Sequence, residues 1–138
     1  GEPPMNILRA KINKSNNKLK FEILNEKNEN TFSINFSNES IQKENLNKLA
    51  NDQLITLGIR PHKIFFNQKD SNFDGKASSS SYHWLGDQVH IGIEINGSSI
   101  IGVADRNFEP SSDVKLNFPL ESINIFNLET EEVILNGL

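Results

Sequence analysis

The residue types able to do chemistry in this chain are few and scattered. Three histidines, His62, His83 and His90, show no H-E-x-x-H spacing and no neighbouring pair of carboxylates. That pattern favours solvated or half-buried imidazoles over a metal or catalytic site. Ser78 to Ser81 supply hydroxyls, yet no G-x-S-x-G elbow and no triad order accompany them, so a flexible loop is the simpler reading. Glu129, Glu131 and Glu132 cluster beside a turn and read as a solvated acidic surface rather than an acid–base pair. Gly75-Lys76 is followed by Ala77, and the position five residues before Gly75 is Asp70. The phosphate-cradling G-x-x-x-x-G-K-[ST] loop is therefore absent. No cysteine is present, which rules out thiolate chemistry, disulfides and zinc–cysteine sites.

Composition narrows the field further. The 138 residues are 36% hydrophobic and 23% charged, the mix of an ordinary globular domain at its polar end. A net charge of −4 without a basic cluster disfavours nucleic acid as a partner. No apolar run approaches the roughly 20 residues of a membrane-spanning helix. Twenty asparagines stand against three arginines and four alanines, which speaks of codon usage and marks most asparagines as generic surface. The nine phenylalanines mostly occupy apolar alternation positions and are expected in the core. Tyr82 and Trp84 flank His83, either as an exposed patch or with Trp84 plugging the core; core packing is the favoured reading.

The elements that must position these residues are strands, because apolar residues recur at period two. Leu8, Ala10 and Ile12 alternate, as do Leu19, Phe21 and Ile23, and then Phe32, Ile34 and Phe36, which predicts a three-stranded meander with one apolar face. Asn38 to Asp52 breaks the alternation and predicts one or two helical turns, with Ser40 as a cap. Ile55, Leu57 and Ile59 resume it up to Arg60-Pro61, where proline must end the strand. Ile64 to Phe66 begins another short extended piece. Asn67 to Ser81 is polar and reads as a disordered loop. Val89, Ile91, Ile93 and Ile95 lead into Asn96-Gly97, and Ile101 and Val103 follow, the signature of a type I′ hairpin. Further strands are expected around Val114–Phe118, Ile123–Ile125 and Val133–Leu135. Eight to ten short strands with little helix imply an all-β barrel or sandwich.

Four stretches, in order, carry a resemblance. "GEPPMN" (Gly1 to Asn6), "LGIRPHK" (Leu57 to Lys63), "WLGDQVHIGIEI" (Trp84 to Ile95) and "VKLNFPLESINIFNLETEEVI" (Val114 to Ile134) are similar to successive segments of the C-terminal regulatory domain of maltose- or glycerol-phosphate-importer-type ABC transporter ATP-binding subunits. That domain is a transport-associated, OB-like β-barrel known as TOBE. The resemblance implies that residues 1–6 end a linker from an ATPase domain outside this chain and that residues 7–138 form one regulatory domain. It also implies that this chain is noncatalytic and holds no cofactor, with ATP and magnesium bound by the ATPase part.

The expected partners are a second copy or related ATPase subunit, membrane permeases reached through the ATPase domain, and a regulatory protein. The expected location is cytoplasmic, peripheral on the inner face of the cell membrane, and the cargo class is sugar or glycerol phosphate. The motif and interface candidates are Leu57, Gly58, Ile59, Arg60, Pro61, His62, Trp84, Leu85, Gly86, Phe118, Pro119 and Phe126. Arg60 is expected to pin the strand end to a neighbouring loop or a partner, and Gly58 to permit close packing. Two departures stand out: His62 replaces the usual Glu, and "KASSSS" replaces an apolar strand. The alternative is a small-ligand or oxyanion-binding β-barrel module of another importer class.

Overall fold

A computed structural model describes residues 4–66, 71–109 and 114–138. Among these residues twelve strands carry the architecture, with one four-residue α-helix, α1 (Lys43–Leu46). β1 (Asn6–Lys14), β2 (Lys18–Leu24) and β3 (Asn30–Ser37) form the expected meander. β4 (Leu54–Ile59) returns against the free side of β1, and β11 (Asn124–Asn127) and β12 (Val133–Asn136) extend the sheet beyond it. With β6 (Phe73–Asp74) at the other end, the order is β12-β11-β4-β1-β2-β3-β6. A second, three-stranded sheet holds β7 (Ala77–Leu85), β8 (Gln88–Ile95) and β9 (Ser98–Asp105), and β5 (Phe65–Phe66) pairs with β10 (Leu116–Asn117).

The core follows the sequence alternation directly. Every residue of the sets Leu8-Ala10-Ile12, Leu19-Phe21-Ile23, Phe32-Ile34-Phe36, Ile55-Leu57-Ile59 and Val89-Ile91-Ile93-Ile95 is buried. Register aligns these sets: Ile12, Phe21 and Ile34 form one row across three strands, and Leu8, Leu57 and Ile125 another. Each such side chain contributes about 1.5–3 kcal/mol on full burial. Phe21 and Phe36 meet edge to face with centroids 6.2 Å apart, an arrangement favoured by the ring quadrupole.

Side-chain amides and hydroxyls tie the two larger sheets together. Asn6 donates to the Ile59 and Ile101 carbonyls and accepts from the Ile101 amide, so its amide group mimics a peptide and seals the β9 edge. At the opposite end, Asn96 donates to the Thr31 carbonyl at 2.7 Å and the Thr31 and Ser98 hydroxyls lie 2.8 Å apart.

Several expectations need correction. The predicted loop at 67–81 is instead ordered over its described part: β6 occupies Phe73–Asp74, and β7 incorporates all four serines; residues 67–70 lie outside the described residues. The "KASSSS" departure thus keeps a strand, with a bulge between Ser79 and Ser81. The backbone ladder to β8 supplies the pairing that serine side chains do not. Ser40 is not a helix cap; Ser37 caps the 3-10 turn Asn38–Ser40, and Gln42 precedes α1 without a side-chain cap bond. Twelve strands exceed the expected eight to ten because three of them are only two residues long. The Asn96-Gly97 hairpin stands as expected, with φ of 47° and 93°.

Candidate functional site

Arg60-Pro61 solves a steering problem. β4 lies between β1 and β11, and Pro61, lacking an amide hydrogen, ends it and starts the 3-10 turn Pro61–Lys63. The turn closes with the Lys63 amide donating to the Arg60 carbonyl at 2.9 Å. It brings His62 to the wall of a cleft and buries Ile64 in the core, leaving Phe65 46% exposed. Gly58, two residues earlier, is demanded by contact: a Cβ there would collide with the Met5 sulfur and come within 2.8 Å of the Phe126 ring.

The cleft, of about 490 Å³, lies between this turn and the end of β9. Its apolar lining includes Phe65, Phe66 and Phe108, with the Phe66 and Phe108 rings in T-shaped contact at 5.2 Å. Gly102 admits the Phe66 ring, which a Cβ would strike. The polar lining is His62, Asn107 and two carboxylates, Asp105 and Glu109. Asp105 also accepts from the Asn107 amide at 2.9 Å. Among the described residues no lysine or arginine lines the cleft, so these walls offer no cationic clamp for an anion.

A second motif lies in the three-stranded sheet. Trp84, Leu85 and Gly86 form the tip of the β7–β8 hairpin, where Gly86 takes φ 63°. Trp84 pairs with Val89, and Val89 pairs with Ala104, which lines the cleft. Trp84 therefore shares the inward face of the sheet with Ala104, two strands away. Trp84 is 52% exposed, which overturns its assignment to the core. The inward direction does not bury it, because β7 is the outer strand of its sheet, whereas its partner Val89 on the central strand is fully buried. Trp84 and Phe65 are thus exposed aromatic side chains, Phe65 in the cleft wall and Trp84 across β8 from its lining residue Ala104.

The remaining motif residues divide by role. Leu57, Ile59 and Phe118 are core, whereas Pro119 and Phe126 are half-buried. Pro119 accepts from the amide and hydroxyl of Ser122, closing a short turn, and Phe126 covers Gly58. Arg60 is exposed and makes no side-chain hydrogen bond or ion pair among the described residues, so the expected pin to a neighbouring loop is not formed there. Glu129, Glu131 and Glu132 are exposed around a turn organised by the Asn127 side chain.

Sequence reasoning missed Phe66, Phe108, Asp105 and Glu109, since nothing local places them in one cleft. It also discounted the asparagines. Besides Asn6 and Asn96, Asn72 bonds both the amide and the carbonyl of Phe118, and Asn124 donates to the Gly58 carbonyl. The one available signal was position: each of these residues sits at the start of a strand, in a turn or between short strands.

No protein-family model matches the chain, and no curated protein matches it by sequence. Among solved structures, that of the cytoplasmic molybdate-binding protein ModG with molybdate bound aligns over 87% of this chain and 94% of its own, with a TM-score of 0.55 and 7% identity. The fold is all-β and OB-like, of the TOBE type. At that identity the likeness speaks for the TOBE-type path of the chain and for nothing about its ligands. Among the described residues no helix is long and apolar enough to cross a membrane.

Proposed function

We propose that this TOBE-type chain is a noncatalytic regulatory and dimerisation domain of an ABC importer's ATP-binding subunit, serving sugar or glycerol phosphate uptake. One observation carries the reading: the LGIRPHK turn walls an aromatic cleft that leaves Phe65 exposed, and the WLG hairpin tip, separated from the cleft residues Ala104 and Asp105 by β8, exposes Trp84 and Leu85. Exposed aromatics of this kind suit protein contact, because they bury large area with few side-chain rotamers to freeze. The order of the four motif stretches supports the assignment to an importer subunit. Arg60, extended and without an intramolecular partner among the described residues, is suited to a carboxylate on a neighbouring subunit. In this reading ATP and magnesium bind an ATPase domain elsewhere in the subunit. The subunit docks on membrane permeases at the inner face of the cell membrane.

The test begins with the gene. An open reading frame with a Walker A sequence upstream of residue 1 is expected, and its absence rejects the importer-subunit assignment. With the intact subunit in hand, the combined change Trp84→Ala and Phe65→Ala should weaken self-association or regulator binding while leaving circular dichroism unchanged. Undiminished association would remove the cleft from the contact surface.

A second reading has one observation in its favour. The ModG structure, whose protein binds molybdate, shares the fold over most of both chains. This chain would then be a small-ligand or oxyanion module. Against it, the described lining of the cleft carries two carboxylates and no lysine or arginine. Thermal unfolding with molybdate or sulfate separates the readings, since a ligand at one hundred times its dissociation constant stabilises by about 2.7 kcal/mol.

A further inference from the structure

The outward face of the β7–β8 hairpin carries a second feature, whose two histidines are not among the described lining residues of the cleft. His83 and His90 are directly opposed in register, and their rings lie 6.4 Å apart, tilted by 35°. We infer that this pair is a two-imidazole site for a late first-row divalent transition ion: copper(II), nickel(II) or zinc(II).

Geometry comes first. A metal–nitrogen bond of about 2.0–2.1 Å puts an ion roughly 3.2 Å from each ring centre. Two imidazoles on one ion then have centres about 5.2 Å apart at a tetrahedral angle and about 6.4 Å apart in line. The observed spacing is at the open end of that range. Side-chain rotation of about 1 Å closes it to the tetrahedral value, and His83 is exposed and His90 half-buried, so both rings have room to turn. The backbone need not move, because the strand ladder already fixes the two Cβ atoms opposite each other.

The surroundings suit a cation. One step along the same face, Gly92 gives room to the Ser81 hydroxyl, which a Cβ there would strike, and Gln88 is neutral. Asp105, paired with Gln88, is the acidic residue nearest in register on that face, and no lysine or arginine occupies the face positions flanking the pair. Imidazole nitrogen selects copper, nickel and zinc over magnesium or calcium. No group of three or more His, Cys, Asp or Glu residues is gathered among the described residues. Water therefore completes the coordination, as in open sites that exchange their ion, rather than in the four-ligand sites that hold a fold together. Binding would brace β7 against β8 across the serine-rich strand.

The chain carries its own reporter. Trp84 is its one tryptophan, adjacent to His83 and paired with Val89 beside His90. Copper(II) bound by the pair lies close enough to quench its fluorescence. The experiment titrates the untagged protein with copper(II) chloride and follows Trp84 emission, with zinc(II) chloride calorimetry as a second measure. Saturable one-to-one binding is expected. Both His83→Ala and His90→Ala should weaken it about tenfold or more, since each removes the ligand that the first imidazole holds at high effective concentration. His62→Ala should leave it unchanged. Titrations unaltered by either substitution, altered by only one of them, or altered equally by His62→Ala, overturn the paired site. These are surface positions, so each variant should keep the parent's circular dichroism and unfolding midpoint. None of these outcomes bears on the contact-domain reading, which rests on the cleft.

Discussion

The two larger sheets reach the same pleated geometry by different physics. In the seven-stranded sheet, β1 to β4 bury one side of every strand, and pairing and burial reinforce each other. In the three-stranded sheet, β8 is equally apolar inside, but β7 buries only Ala77 and offers serine, tyrosine, histidine and tryptophan along the rest. β7 is held by its ladder to β8 and by Ser80 donating to the Gly92 carbonyl at 3.2 Å, while the Ser79 and Tyr82 hydroxyls meet within β7 itself. Net hydrogen-bond contributions are about 0.5–1.5 kcal/mol each, smaller than full burial of a large apolar side chain. The first sheet is thus the stability reservoir. The second tolerates exposure, which leaves its hairpin tip available for contact.

Four substitutions break or sharpen that contrast. The largest effect should come from Phe21→Ala, which empties a fully buried site in the first sheet. A loss of about 3–5 kcal/mol is expected, read as a lower denaturant midpoint at unchanged slope. Gly58→Val should follow, at about 1–3 kcal/mol, because the new side chain must displace Met5 and Phe126. A neutral result there would mean that the two side chains swing aside freely. Asn6→Ala removes the bonds linking Ile59 to Ile101 and should cost about 1–2 kcal/mol. Its signature is faster amide exchange at Ile101 in β9 with little change in β2. Trp84→Ala should shift stability by no more than about 0.5 kcal/mol, since the ring is half exposed. A larger loss would show that the second sheet depends on burial as the first does.

How far the sequence could be read follows the same division. Alternation at period two placed β1 to β4, β8 and the Asn96-Gly97 turn, because those features are local. The Arg60-Pro61 stop was legible for the same reason. β9 was read one residue out of phase, since the two-residue turn opposes Ile100 to Ile93 and leaves Ile101 on the outer face and Val103 half-buried. β7 was not, since serine carries no apolar period and the strand exists through its partner. Phe65 and Phe66 were visible as an extended pair, but their cleft was not, because it needs Phe108 and Asp105 from β9 and the segment after it. Asn6, Asn72 and Asn96 looked interchangeable with the other asparagines until distant backbone groups were brought within hydrogen-bond reach.

The sequence by itself therefore determined that this is a β protein with a given set of buried rows, because side-chain direction in a strand repeats every second residue. Only the tertiary structure decided which strands meet, where the aromatic cleft opens and which histidines face each other. Those facts depend on backbone groups, identical in every residue, pairing across long stretches of chain.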